Sequence, residues 1–166
     1  PSIQVREGLF LSLVCPEDEE ELVAYLNDRT IYKNTCNVPY PYKAEDAAQF
    51  IRDEYLFMDA HGKWRSLAIR LGGRLVGGIG LMYNYGVNSF KTEFGYWMGK
   101  PFRGRGVMTE VVRCFSDHCL NKLGLIRLEA NVFRYNESSM KVLEKSGFEL
   151  EGVLKKAYEK EGQYID

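Results

Sequence analysis

The chain lacks the long apolar run that a membrane-spanning helix requires, and it lacks an excess of charge of either sign. Its 22 Lys and Arg residues nearly balance 23 Asp and Glu residues, which leaves a net charge of -1 at pH 7. This balance gives no support for a nucleic-acid partner, since such proteins usually carry a basic excess. The start of the sequence also lacks the charged and then apolar pattern of a signal peptide. These absences predict a cytoplasmic protein without a membrane-embedded segment.

Cysteines are few, and their spacing excludes the common redox and metal motifs. The 4 cysteines form no C-x-x-C pair, which indicates a reduced, intracellular protein. Cys114 and His118 lie one helical turn apart, but two ligands do not complete a metal site. We therefore predict a packing role for this pair and no bound metal.

The composition is that of an ordinary globular protein. The 166 residues are 45% hydrophobic and 27% charged, so one domain of this length can bury a core without disulfides. No internal repeat, low-complexity segment or linker interrupts the chain. We expect residues 1–166 to form a single domain.

Hydrophobic spacing and turn residues predict an alternation of strands and helices. The Gly72-Gly73 pair reads as a hairpin turn, and the acids after Pro16 read as the first turn of a helix. The predicted strands are residues 9–14, 64–71, 74–83, 90–98, 125–132 and 148–158, the predicted helices begin at 16, 44, 106 and 136, and residues 30–43 are predicted to be irregular. This order predicts an α/β fold with a central, mixed, mostly antiparallel twisted sheet of about six to seven strands and helices on both faces.

A glycine-rich loop precedes the helix that begins at residue 106. Gly104 and Gly106 would let the backbone approach an anion, and Arg103 and Arg105 add positive charge where a helix N-terminus already favours phosphate. The loop matches neither G-x-G-x-x-G, whose third glycine is replaced by Thr109, nor the P-loop pattern. The alternative is that the glycines serve only the turn and the arginines are solvated.

The strand before this loop contains a glycine in its middle. Gly95 suggests a bulge, which would leave a backbone N–H unpaired and available to a ligand carbonyl. Three more glycines in the preceding strand indicate that it bends, bulges or accepts another backbone close by.

With these motifs assembled, the chain resembles the GCN5-related N-acetyltransferase (GNAT) family, and within it the branch of the RimJ/RimL-type protein N-terminal acetyltransferases. Residues 90–152 carry the resemblance, whereas the first ninety residues match in element order more than in motif. The matching segments are Glu93 to Met98, Pro101 to Gly106 followed by Thr109-Glu110, Arg127 to Ala130, Asn136 to Ser139, Glu144 to Phe148 and Glu151-Gly152. Pro101 departs from the Gln or Arg that usually opens the family's phosphate loop.

The resemblance implies acetyl-CoA as the cofactor. It implies that the pantetheine arm lies along Tyr96-Trp97-Met98, in the splay beside the next parallel strand, and that Asn136 contacts the cofactor. The backbone groups implied to hold the pyrophosphate belong to Arg103, Gly104, Arg105, Gly106, Val107, Met108 and Thr109.

The resemblance also implies transfer of an acetyl group to a primary amine. A free N-terminal amine has a pKa of about 8 and must lose a proton before or during attack. Glu93 is the expected base, directly or through water, with Glu129 as second choice; Glu93 is alternatively a plain surface carboxylate. Ser139 is expected to donate to the departing thiolate, with Tyr135 as a substitute; alternatively, Ser139 is an ordinary first-turn helix serine.

The acceptor and the assembly state are less constrained by the motifs. A protein N-terminal Ser or Ala amine is the first choice, and polyamines, amino acids, antibiotics or a non-catalytic acyl-CoA sensor are the alternatives. The protein is expected to be a monomer or a homodimer. Relatives usually have a seventh strand after a turn such as Lys160-Glu161-Gly162, and this strand is expected to be cut short or supplied by another chain.

Overall fold

A computed structural model describes residues 1–166. Eight strands are formed: β1 (Ser2–Arg6), β2 (Leu9–Ser12), β3 (Ser66–Leu71), β4 (Arg74–Tyr83), β5 (Lys91–Met98), β6 (Arg127–Glu129), β7 (Tyr158–Lys160) and β8 (Gln163–Ile165). Five helices are formed: α1 (Glu19–Leu26), α2 (Arg29–Asn34), α3 (Ala44–His61), α4 (Val107–Asn121) and α5 (Glu137–Lys145).

The first six strands form one sheet in the order β1-β2-β3-β4-β5-β6. Every neighbouring pair is antiparallel except β5 and β6, which are parallel and joined through α4. The predicted mixed, mostly antiparallel sheet is therefore confirmed. Strands β7 and β8 form a separate two-stranded ribbon.

Helices cover both faces of the sheet, as predicted. On one face α4 buries an apolar stripe whose central residues Val111, Val112 and Phe115 are fully shielded from solvent. Burial of a side chain of this size contributes about 1.5–3 kcal/mol, so α4 is firmly attached to the sheet. On the other face α1, α2 and α3 bury a second cluster, which contains Leu22, Ile31, Ala47, Ile51, Ala68 and Leu75.

The structure contains two elements that were not predicted and lacks one that was. The sequence prediction missed β1 and α2, although Asp28 is a clear N-cap whose carboxylate accepts from the Thr30 N–H at 2.7 Å. The predicted strand at 148–158 is not formed. Phe148 packs against the core, but Leu150 and Leu154 are exposed, and a strand is stable only where a neighbour accepts its hydrogen bonds.

The glycines of β4 are explained by close contacts. A Cβ at Gly77 would lie 2.5 Å from the Trp97 carbonyl oxygen, and one at Gly78 would lie 2.5 Å from the Trp97 indole nitrogen. The pairing of β3 with β4 also shifts register beside Ile69, which leaves Val76 as an extra residue. The predicted bulge and close backbone approach in this strand are both confirmed.

Candidate active site

The site is a gap where β5 and β6 separate. Their pairing ends at Glu93 and Glu129, although β5 continues to Met98. The Phe90 carbonyl accepts from the Ile126 N–H, so by the alternation of backbone groups along a strand the N–H groups of Tyr96 and Met98 point to the same side. Beyond the end of β6 these groups face the gap, where an extended ligand can pair with them.

The free N–H groups arise from this early separation and not from a bulge. The register of β4 with β5 runs without interruption from Tyr83 opposite Thr92 to Gly77 opposite Met98, so the predicted bulge at Gly95 is wrong. Gly95 instead leaves an exposed stretch of strand without a side chain. The predicted strand at 125–132 is also too long, since β6 covers only Arg127–Glu129. Because β6 pairs with β5 over so few residues, the gap opens beyond it.

The glycine loop at the end of the gap has a backbone geometry that suits an anion. Gly104 and Gly106 both have a φ of 76°, which only glycine adopts readily, and Gly106 is the N-cap of α4. None of the N–H groups from Gly104 to Thr109 donates within the protein; the first helical bond runs from the Glu110 N–H to the Gly106 carbonyl. A row of unpaired N–H groups at the positive end of a helix dipole favours a phosphate.

The two loop arginines have different surroundings. Arg103 donates to the Met98 carbonyl at 2.9 Å and to the Asp28 carboxylate at 2.9 Å, so its side chain ties the loop to α2. Burial acts to raise the pKa of Asp28, but the Thr30 N–H and Arg103 lower it overall. Arg105 is exposed and makes no ion pair. Of the two predicted phosphate-binding side chains, Arg105 is the one available to a ligand.

Tyr96, Ser139 and Asn136 meet on the far side of the gap. The Tyr96 hydroxyl lies 2.7 Å from the Ser139 hydroxyl, although the two residues are 43 positions apart in sequence. Burial raises the pKa of Tyr96, and the Ser139 hydrogen bond only partly offsets this effect. Asn136 caps α5, with its side-chain oxygen accepting from the Ser139 N–H at 3.4 Å. Ser139 is thus a first-turn helix serine and also faces the gap.

The two candidate bases differ in their partners. Glu129 accepts from Arg127 at 2.8 Å and from Lys91 at 3.1 Å, and these two cations lower the pKa of Glu129. Such a carboxylate is a poor proton acceptor. Glu93 makes no ion pair, is half-buried and lines a cavity between the sheet and the helices α1 to α3. Of the two, Glu93 is therefore free to accept a proton from a ligand.

Glu93 opens onto a cavity of about 680 Å³ between the sheet and the helices α1 to α3. Segment 34–39 and Tyr158 of β7 form walls of this cavity, and Trp97 lies across Gly78 at its base. Burial and the neighbouring Glu93 carboxylate raise the pKa of Tyr158. Tyr158 was missed from sequence because its strand reaches the site only through tertiary packing.

Tyr135, the predicted substitute for Ser139, points elsewhere. Its hydroxyl donates to the Lys33 backbone carbonyl at the end of α2, so it ties α2 to the segment before α5. Within the structure, Ser139 is the residue of the two that borders the cavity.

Comparison with known proteins agrees with this geometry. A family model described as an acetyltransferase (GNAT) domain matches residues 9–149. The chain belongs to the GNAT family of acetyltransferases. As a GNAT protein it is an N-acetyltransferase, and the family resemblance drawn from its motifs is confirmed.

Two curated proteins are similar to this GNAT chain. "Probable N-acetyltransferase YjcK" of Bacillus subtilis is 39% identical over 94 residues, which are 56% of this chain and 51% of that protein. "L-amino acid N-acetyltransferase AaaT" of Escherichia coli is 31% identical over 137 residues, which are 82% of this chain and 80% of AaaT. The match therefore covers about half of YjcK and most of AaaT.

Solved structures share the fold. RimL, a ribosomal L7/L12 α-N-protein acetyltransferase solved with coenzyme A, has a TM-score of 0.88 at 20% identity, covering 99% of this chain and 93% of that one. RimJ of Mycobacterium smegmatis, solved with CoA-disulfide, has a TM-score of 0.82 at 24% identity, covering 99% and 82%. The fold is that of the GNAT enzymes, and its structural neighbours include members of the RimJ/RimL branch.

Two other sequence predictions concern metals and membranes. The structure brings together no group of three or more His, Cys, Asp or Glu side chains suited to a metal ion. None of its helices combines the length and apolar character needed to cross a bilayer.

Proposed function

We propose that this chain transfers an acetyl group from acetyl-CoA to a primary amine. The observation that carries the proposal is the row of unpaired N–H groups from Gly104 to Thr109 at the end of the β5–β6 gap. A Cβ at Gly104 or Gly106 would meet no protein atom within 4 Å, so the space in front of the loop is open to a pyrophosphate. The gap beside Tyr96 and Met98 suits the amide-bearing arm that extends from it.

The residues around the gap supply the groups that aminolysis of a thioester requires. Glu93 accepts a proton from the incoming ammonium, directly or through water. The Tyr96 N–H donates to the carbonyl oxygen as it gains charge, and one such donor is typically worth about 3 kcal/mol. The Ser139 hydroxyl donates to the sulfur that departs. Structural neighbours solved with coenzyme A or acetyl-CoA support this use of the fold.

For the acceptor we propose a peptide N-terminus rather than a free amino acid. A free amino acid brings a carboxylate next to its amine, and such a group needs a cation or several N–H donors in the site. Of the side chains lining the cavity, Arg65 is the cation, and it already donates to Glu54 at 2.7 and 3.0 Å. Acidic side chains on the same walls, Asp46, Asp53 and Glu93, further disfavour a carboxylate.

A free L-amino acid is the second candidate, because the relative AaaT carries that activity in its name. The two candidates differ in one measurable way. A peptide has no carboxylate near its amine, whereas a free amino acid does. If the site is built for a peptide N-terminus, amidation of an amino acid removes the disfavoured carboxylate and should improve it as an acceptor. If the site is built for a free amino acid, amidation should not improve it.

The first experiment is calorimetric titration of acetyl-CoA, followed by a thiol-release assay with a panel of amines. Micromolar affinity, about 8 kcal/mol, is expected for the cofactor. Peptides that begin with Ser or Ala should release CoA faster than L-alanine, L-alaninamide should exceed L-alanine, and N-acetylated peptides should be inert. Faster turnover of L-alanine would overturn the acceptor assignment. Binding without thiol release for any amine would indicate a sensor.

A further inference from the structure

We propose that Tyr96 is a positioning residue that orients the Ser139 hydroxyl toward the departing sulfur. This inference rests on the proposed acetyl transfer. It gives the Tyr96 side chain a role in catalysis, whereas the family resemblance implied only that Tyr96 contacts the cofactor. Tyr96 lies on β5 and Ser139 in the first turn of α5, so their hydrogen bond joins the two walls of the gap.

The geometry of the pair limits how its protons are arranged. The two hydroxyl oxygens are 2.7 Å apart, and the Tyr96 hydroxyl is 3.3 Å from the Ser139 backbone carbonyl. Distances near 2.7 Å are usual for strong O–H···O bonds, while 3.3 Å is long. When Tyr96 donates to the Ser139 oxygen, the serine proton is free to point into the gap. Without this partner the serine hydroxyl can point in other directions, including toward a backbone carbonyl three or four residues earlier in the chain.

The pair stabilises the leaving group without giving up a proton. The C–S bond breaks as the amine nitrogen bonds to the carbonyl carbon, and the electron pair passes to sulfur. An alkyl thiol has a pKa of about 8.5, below that of a tyrosine at about 10, and burial raises the pKa of Tyr96 further. Tyr96 and Ser139 therefore remain protonated and supply hydrogen bonds to the thiolate. The nitrogen loses two protons, one from the ammonium before attack and one as the amide forms, and both leave in succession through Glu93 and water.

The structure offers matched controls for both residues. The Tyr83 hydroxyl, on the adjacent strand, donates to the Trp64 carbonyl at 2.9 Å, so Tyr83→Phe removes a comparable bond away from the gap. Burial raises the pKa of Tyr83 to about 12, and burial also raises the pKa of Tyr96, so both hydroxyls are protonated at neutral pH. Ser138 lies beside Ser139, and its hydroxyl donates one hydrogen bond, to the Asn136 side-chain oxygen at 3.2 Å.

The test is a double-mutant cycle measured as the single-turnover rate constant of acetyl transfer to the fastest acceptor of the amine panel. Tyr96→Phe should lower this rate about tenfold, because without Tyr96 the Ser139 hydroxyl is no longer held in the direction that bonds the sulfur as it becomes charged. Ser139→Ala should lower it at least as much, and the double variant should be no slower than Ser139→Ala. Calorimetric Kd values for acetyl-CoA should stay near wild type. Tyr83→Phe and Ser138→Ala should keep the wild-type rate.

Three results would overturn the proposal while leaving acetyl transfer intact. These are a wild-type rate for Tyr96→Phe, independent and multiplicative losses in the double variant, or a loss confined to the Kd of acetyl-CoA. If the wild-type protein releases no CoA with any amine, the proposed function itself fails. Thermal melting of Tyr96→Phe beside Tyr83→Phe shows whether a loss of rate reflects a loss of folding.

Discussion

Replacing Gly104 by alanine tests whether the loop before α4 binds phosphate or only turns the chain. Gly104 has a φ of 76° and faces open space, so an added methyl group meets no protein atom. A residue with a Cβ pays about 1–2 kcal/mol to adopt this left-handed conformation. For a protein of this size, that cost lowers the Tm by roughly 2–8 °C.

Gly124, just beyond α4, provides a matched control. Its φ is 72°, and it too has no protein atom within 4 Å of the added Cβ. Gly104→Ala and Gly124→Ala should therefore lose similar stability. Only the first places a methyl group in front of the unpaired N–H groups, where it removes one or two charge-assisted hydrogen bonds to phosphate.

The expected effect on binding follows from those bonds. Each hydrogen bond to a charged group contributes about 1.5–3 kcal/mol, so losing one raises the Kd for acetyl-CoA about tenfold or more. Calorimetry gives the Kd, and thermal melting gives the stability of each variant. An unchanged Kd in Gly104→Ala, with the same Tm loss as Gly124→Ala, would refute the assignment of this loop to the pyrophosphate.

Further predictions concern the base, the loop charge and the core. Glu93→Gln should slow acetyl transfer at pH 7 and lose less above the amine pKa of about 8, whereas Glu129→Gln should not; an unaltered pH–rate profile would remove Glu93 from the mechanism. Arg105→Ala should weaken acetyl-CoA binding about threefold at low salt and less at high salt, as calorimetry at two ionic strengths would show. The buried Asp18 accepts from both terminal nitrogens of Arg70 at 2.8 Å, so Asp18→Asn should cost about 3–5 kcal/mol in urea unfolding. Burial acts to raise the pKa of Asp18, but Arg70 lowers it overall. The wild-type pair therefore stabilises the fold above a pH of about 4 and should lose this contribution as the pH falls further. Equal acid sensitivity of the wild-type protein and Asp18→Asn would contradict this prediction.

The sequence by itself determined the features that depend on neighbouring residues. Gly104 and Gly106 predicted a helix start with free N–H groups, because only glycine reaches their left-handed backbone without strain. Gly72-Gly73 predicted a hairpin turn, and both have positive φ as such a turn requires. Apolar spacing predicted the buried face of α4. These signals are local, since they depend on backbone freedom and on periodicity within one element.

Tertiary structure decided how far the elements pair and which side chains meet. Only the packed sheet shows that β6 pairs for three residues and then leaves β5, and this separation frees the backbone N–H groups that the sequence had attributed to a bulge at Gly95. Arg103 meets Asp28, 75 residues away, and Tyr96 meets Ser139, 43 residues away. Likewise the ion pairs of Glu129 with Arg127 and Lys91, which disfavour it as a base, form only in the folded sheet. Such contacts join distant parts of the chain, and no local propensity specifies them.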